Sequence, residues 1–193
     1  TFSFYPGKNL GAYGDGGAII TNDNDLADRV RMIAQHGSLV KHQHMMEGVN
    51  SRLDGLQAAI LSVKLPHLHS WNKKRLDAAK YYNNKLSGFL SQITLPKISS
   101  QHKQIFHVYC IRFLNNKTRE TAATKLSEAG IQTGIHYPTP LPLLRAYERF
   151  EHTAEEFPVA AEACSTMLSL PMFPELTKAQ QDYVCKVLLG LLE

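Results

Sequence analysis

The sequence predicts an α/β segment joined by a helical connector to a small α+β domain, and three observations carry that prediction. Residues 1–17 form a glycine-punctuated loop that runs into a short apolar stretch, residues 18–21, followed at once by helical periodicity. From Leu53 onward two helical patterns succeed one another with little punctuation, which makes a long connector. Beyond it, short strand and helix signals are mixed. A length of 193 residues suits one moderately large domain or two small ones. The division is expected between residues 57 and 58.

Each element follows from a local signal. Asn22 or Asp23 caps a helix whose apolar residues Leu26, Val30 and Ile33 fall at helical spacing, with Gly37 placed to end it. Residues 38–49 lack a clear period and read as a loop. The next helix runs through Leu56, Ile60 and Val63 to Pro66, which suits the first turn of a third helix that stops near Gly88. Residues 105–113, rich in β-branched and aromatic types, read as a strand. Residues 118–129 read as a helix closed by Gly130, and residues 131–136 as another strand. Pro138, Pro140 and Pro142 make a rigid loop, and two helices follow, around residues 159–167 and 178–192. The apolar stretch 18–21 suits a strand buried in a parallel sheet. No neighbours for it are encoded here, so the first 50 or so residues are expected to leave an unpaired edge.

Composition narrows the function classes. The apolar runs are too short to span a membrane, and no basic segment followed by an apolar one opens the sequence. Cys110, Cys164 and Cys185 are widely spaced without a CxxC pair, which argues against a zinc knuckle or a disulfide framework and fits a reducing cytoplasm. The net charge of +4 comes from dispersed lysines and arginines, so nucleic acid is a poor partner. The chain opens at Thr1, without Met, inside what reads as a functional loop, so residues preceding it are expected in the parent protein.

The chemistry lies in residues 1–21, TFSFYPGKNLGAYGDGGAIIT. Lys8 stands between Gly7 and Asn9 in a loop lined by Phe4, Tyr5 and Tyr13. A lysine confined by aromatics and glycines is suited to lose its proton, and a neutral amine attacks a carbonyl to form a Schiff base. Ser3 offers a hydroxyl to a phosphate, and the glycines let backbone approach a flat cofactor. On these grounds alone, a glycine-rich turn with an incidental lysine is an equal reading. The spacing of Gly14-Asp15-Gly16-Gly17 is not that of a dinucleotide fingerprint.

Ser3-Phe4, Lys8-Asn9-Leu10, Gly14-Asp15-Gly16-Gly17-Ala18 and Thr21 resemble the lysine motif of the DegT/DnrJ/EryC1/StrS sugar aminotransferases, a branch of the fold type I enzymes that use pyridoxal 5'-phosphate (PLP). The resemblance continues through His36-Gly37, Asn50-Ser51-Arg52-Leu53-Asp54 with Leu56-Gln57-Ala58-Ala59, His136-Tyr137-Pro138, and Leu168-Ser169-Leu170-Pro171. It implies the C-terminal half of such an enzyme. Residues 1–57 would complete the large PLP-binding domain, and residues 58–193 would form connector helices and the small C-terminal domain.

The resemblance also assigns roles. Lys8 would hold PLP as the internal aldimine and later move the proton between substrate Cα and cofactor C4′. Ser3 would bind the cofactor phosphate, and Asn50 the cofactor phosphate of a neighbouring subunit, which implies a homodimer with shared sites. Arg52, His136 and Tyr137 lie in segments that face the sugar nucleotide in relatives. The implied reaction takes an amino group, commonly from glutamate, to a keto group on a nucleotide-linked sugar. The wording Tyr5-Pro6-Gly7-Lys8-Asn9-Leu10-Gly11 resembles enzymes of dTDP-linked 3-keto sugars. Two other readings stay open: a PLP-dependent sugar dehydratase of the same family, disfavoured because those relatives carry histidine at the Lys8 position, and a non-catalytic fragment or regulatory relative.

Other signals are weaker. His42 with His44, and His67 with His69, form HxH pairs with no carboxylate or cysteine at ligand spacing, so no metal is expected. His107 is expected to be a half-buried strand histidine, and the three cysteines inert fillers.

Overall fold

Phe2–Ser3 (β1) and Gly17–Ala18 (β2) pair antiparallel, Phe2 opposite Ala18 and Ser3 opposite Gly17, in the computed structural model, which describes residues 1–192. The strand expected at residues 18–21 therefore ends at Ala18, and its partner runs antiparallel. Ile19 and Ile20 are 52% and 72% exposed. The ladder stops because the strand available to it among the described residues is the two-residue β1.

Asp23 accepts the amide of Leu26 at 3.0 Å and starts Asn24–Ala34 (α1). The stretch read as a loop contains a small hairpin, Ser38–Val40 (β3) with Gln43–His44 (β4), turned at His42 with φ 69°. So short a pair, with an irregular register, leaves no alternation to read. Asp54 precedes Gly55–Lys64 (α2); a 3₁₀ turn with Pro66 in its opening positions, Leu65–His67, leads into Leu68–Leu86 (α3). The chain divides into two units within α3: Thr1–His69, and a second from Ser70 onward. Among the described residues of the first unit, the buried apolar side chains are Ala12 and Leu61.

The second unit is built on a three-stranded antiparallel sheet, Ile93–Thr94 (β5), Tyr109–Phe113 (β6) and Met167–Leu170 (β7), with β6 central. Three helices accompany it: Asn116–Glu128 (α4), capped by Asn115; Pro158–Thr166 (α5); and Lys178–Leu189 (α6), opened by the Thr177–Gln180 capping box. Alternation along β6 sends Tyr109, Ile111 and Phe113 into a core with Tyr82 and Leu86 of α3, Leu126 of α4 and Leu188 of α6. The Tyr82 and Tyr109 rings lie 4.9 Å apart at a tilt of 30°. From the alternate positions of β6, Arg112 reaches Glu162 of α5 at 2.7 Å.

Two strand expectations change. The strand expected over residues 105–113 begins at Tyr109, because the Phe106 and His107 carbonyls are taken by Arg75 at 3.2 and 3.1 Å. His107 itself is exposed rather than half-buried. Residues 131–136 form no strand and meet β7 through one bridge, Gly134 with Ser169. In exchange, the helix expected over 159–167 ends at Thr166 and β7 follows directly. The proline-rich stretch holds two 3₁₀ segments, Leu141–Leu143 and Arg145–Phe150.

Arg75, 7% exposed, also donates to the Met172 carbonyl at 2.8 Å, so one guanidinium joins α3, the entry to β6 and the exit from β7. Burial lowers its pKa, and Glu175 opposes that shift. Replacing Arg75 with Met should strand three inward carbonyls and cost about 2–5 kcal/mol of unfolding free energy. Urea unfolding followed by tyrosine fluorescence measures this, and a loss under 1 kcal/mol (roughly the value of one hydrogen bond) would show that the clamp is dispensable.

Candidate active site

Lys8 sits at the end of a loop that closes on itself. The Phe4 amide donates to the Gly16 carbonyl and the Ala12 amide to the Phe4 carbonyl, each at 2.8 Å, which extends the β1–β2 ladder and pinches off residues 5–11. At the tip, the Lys8 amide donates to the Tyr5 carbonyl at 2.8 Å, closing a turn in which Pro6 fixes the first corner. The returning chain lies so close that a Cβ on Gly11 would collide with the Pro6 carbonyl, so only glycine fits there. Lys8 is half-buried on this support.

Ser3 joins the same loop. Its Oγ accepts the Tyr5 amide at 3.3 Å, which leaves the hydroxyl proton available to a ligand oxygen. The aromatic lining expected around Lys8 is looser than the sequence implies. Tyr5 and Tyr13 are 59% and 77% exposed, and the Tyr13 ring lies beneath the Lys64 ammonium, 5.2 Å away.

Two residues of α2 hold the loop, and neither had a role assigned from the sequence. Gln57 Oε1 accepts the Tyr13 amide at 2.8 Å, and Lys64 Nζ donates to the Gly11 carbonyl. Gln57 stands in the Leu56-Gln57-Ala58-Ala59 motif, so a signal existed for it; Lys64 carried none.

Asn50 pairs with Gln35 in a bridge beside the end of α1, where the Val49 amide donates to Ile33 at 2.7 Å and the Ser51 amide to Ala34 at 3.0 Å. Arg52 is exposed and lines a cavity of about 990 Å³ with Phe2, Ala18, Val30, Ile33 and Leu53. Lys8, Ser3 and Asn50 are not in that lining. Ser3 and Lys8 are thus joined through Tyr5, whereas Asn50 and Arg52 are ordered by α1 and the segment after the hairpin. His136 and Tyr137 belong to the second unit, their rings edge to face with centroids 5.5 Å apart.

His44 Nδ1 lies 2.8 Å from the His36 carbonyl, and His67 and His69 are exposed. Among the described residues no three His, Cys, Asp or Glu side chains are grouped to hold a metal, and no helix is long and apolar enough to cross a membrane. Burial pushes the Cys110 thiol up, and that of Cys185 to about 11.

The fold is that of the fold type I PLP-dependent sugar aminotransferases. The structure of Streptomyces venezuelae DesV in complex with a ketimine intermediate matches all of this chain and 51% of DesV, with a TM-score of 0.92 and 39% identity. The chain belongs to the DegT/DnrJ/EryC1/StrS aminotransferase family, matched over residues 1–189, whose members are PLP-dependent. It is 44% identical over 187 residues to the erythromycin biosynthesis sensory transduction protein EryC1 of Saccharopolyspora erythraea, covering 97% of this chain and 50% of that protein. Against dTDP-3-amino-3,4,6-trideoxy-alpha-D-glucose transaminase of S. venezuelae the identity is 41% over 179 residues, 93% of this chain and 46% of the relative. The chain spans about half the length of the curated relatives it matches.

The clamp on the Lys8 loop is measurable without a ligand. Gln57→Leu should speed exchange of the Tyr13 amide by about 5–10-fold, the worth of one net hydrogen bond. Lys64→Met should loosen residues 11–13 in the same way, read by amide hydrogen exchange on the full chain. Unchanged protection at Tyr13 in both variants would mean that the loop is ordered by its own ladder alone.

Proposed function

We propose that this chain serves as part of a PLP-dependent aminotransferase that moves an amino group, from glutamate, onto a keto group of a nucleotide-linked sugar, with dTDP-3-keto-6-deoxyhexoses as the favoured class. The observation that carries the reading is Lys8 at the tip of a loop closed by backbone bonds, with a hydroxyl donor, Ser3, tied to the same turn. The match to the S. venezuelae transaminase supports the choice of sugar. In this reading residues 1–57 belong to the large cofactor domain and residues 58–193 to the connector and small domain.

The donor set fits PLP: one primary amine and one hydroxyl whose proton is available for a phosphate oxygen. When bound, PLP supplies an electron sink. Lys8 Nζ would hold the cofactor and would move a proton at the substrate Cα. Ser3 donates to the phosphate. Asn50 donates its side-chain amide to the phosphate held by a neighbouring subunit, so the working unit is a homodimer. Arg52, His136 and Tyr137 orient the sugar nucleotide. Lys8 itself disfavours the dehydratase reading, whose relatives carry histidine at that position.

Borohydride reduction of the intact enzyme should leave a pyridoxyl mass on the peptide containing Lys8, and Lys8→Ala should slow nitrogen transfer by about 10²–10⁴-fold or more while PLP still binds through its phosphate. A label on another lysine, or bound PLP with no label, would sink the assignment.

The shared site is tested by mixing. Lys8→Ala and Asn50→Ala proteins, each inactive alone, should together regain roughly a quarter of wild-type activity, the share expected when random pairing gives half the dimers one intact site. A mixture no better than its components would place the whole site in one subunit.

A further inference from the structure

We infer that Ser169 and Gly134 are positioning residues that hold His136 as a hydrogen-bond donor, presenting its Nε2–H to an acceptor oxygen of a bound ligand. His136 is exposed, yet its ring is fixed. Nδ1 lies 2.9 Å from Ser169 Oγ, the Tyr137 ring meets it edge on, and the ring packs over Gly134. A Cβ on Gly134 would stand 2.7 Å from His136 Cε1 and 3.4 Å from Nδ1, so a side chain there would push the ring from this place. Gly134 is locked in turn to β7, its amide donating to the Ser169 carbonyl at 3.1 Å and its carbonyl accepting the Ser169 amide at 2.7 Å. An exposed side chain ordinarily keeps its rotamer freedom, and three restraints on one exposed ring are the mark of a preorganised ligand contact.

The polarity follows from where the Ser169 proton goes. Ser169 is 4% exposed, so its hydroxyl must find its acceptor inside the protein. Cys110 stands opposite Ser169 in the β6–β7 register and on the same face of the sheet. Burial keeps Cys110 a thiol, its hydrogen bond with Ser169 acting in the opposite direction, and its Sγ also donates toward the Ile111 carbonyl at 3.7 Å. Thiol sulfur is a weak acceptor, whereas a bare imidazole nitrogen is a good one. The Ser169 hydroxyl therefore donates to Nδ1, and the ring proton sits on Nε2. A donor there selects ligand oxygens with lone pairs. On the reading of the preceding subsection, these are the phosphoryl or sugar oxygens of the nucleotide sugar; the inference rests on that reading only for the ligand's identity.

The tautomer can be read directly from nitrogen-15 spectra of the full chain at about pH 8, where free imidazole is neutral, with His136 assigned by its loss in His136→Gln. Nδ1 should appear as an unprotonated acceptor and Nε2 as protonated. Ser169→Ala should lose this single-tautomer pattern, and Ser169→Thr, which keeps the hydroxyl on a strand-compatible residue, should restore it. A ring protonated at Nδ1 in the wild type, or a wild-type pattern in Ser169→Ala, overturns the inference. Absence of nitrogen transfer by the intact enzyme, alongside the expected tautomer, would instead sink the aminotransferase reading and leave this one standing.

Discussion

The second unit depends on one register, that of β6 against β7. Tyr109 faces Leu170 and Ile111 faces Leu168, so the large side chains of both strands fall on the core side, while Cys110 and Ser169 fall together on the other. A slip of β7 by one residue would turn that strand over, sending Ser169 to the core side and Leu168 toward His136. The register is pinned where β6 begins and β7 ends, since Arg75 gathers the carbonyls of Phe106, His107 and Met172 onto a single nitrogen. A helix residue thus decides where a strand may start.

The first unit is ordered by different means. With few apolar side chains buried, its shape comes from backbone closure: the Phe4–Gly16 and Phe4–Ala12 bonds, the tight return at Gly11, and the chain after the hairpin lying along the end of α1. Such bonds fix where a lysine stands without enclosing it. Lys8 is thus positioned by the loop's backbone while its side chain stays only half-buried.

How much was legible in the sequence followed from the range of each signal. The cap Asp23 and the helix-opening Pro66 act within a few residues, and the Lys8 loop could be recognised from its own 21-residue segment. The clamps could not, because Gln57 and Lys64 stand 44 and 53 residues from the backbone they hold. The strand β7 was hidden by its junction with α5, where a helical pattern passes into Met167–Leu170 without a turn signal. The strand expected at residues 131–136 failed for the opposite reason: its β-branched content was right, but β7 offers it a single bridge at Gly134.

The buried thiol of Cys185 bears on how the protein meets an oxidant. Peroxides and disulfide reagents act on thiolate, and a cysteine held neutral until about pH 11, at 3% exposure, presents almost none. Cys185 therefore belongs to the part of the molecule that oxidative stress passes over while the fold is intact. Once α6 leaves the sheet, the same sulfur regains ordinary acidity, and its modification would record a history of unfolding.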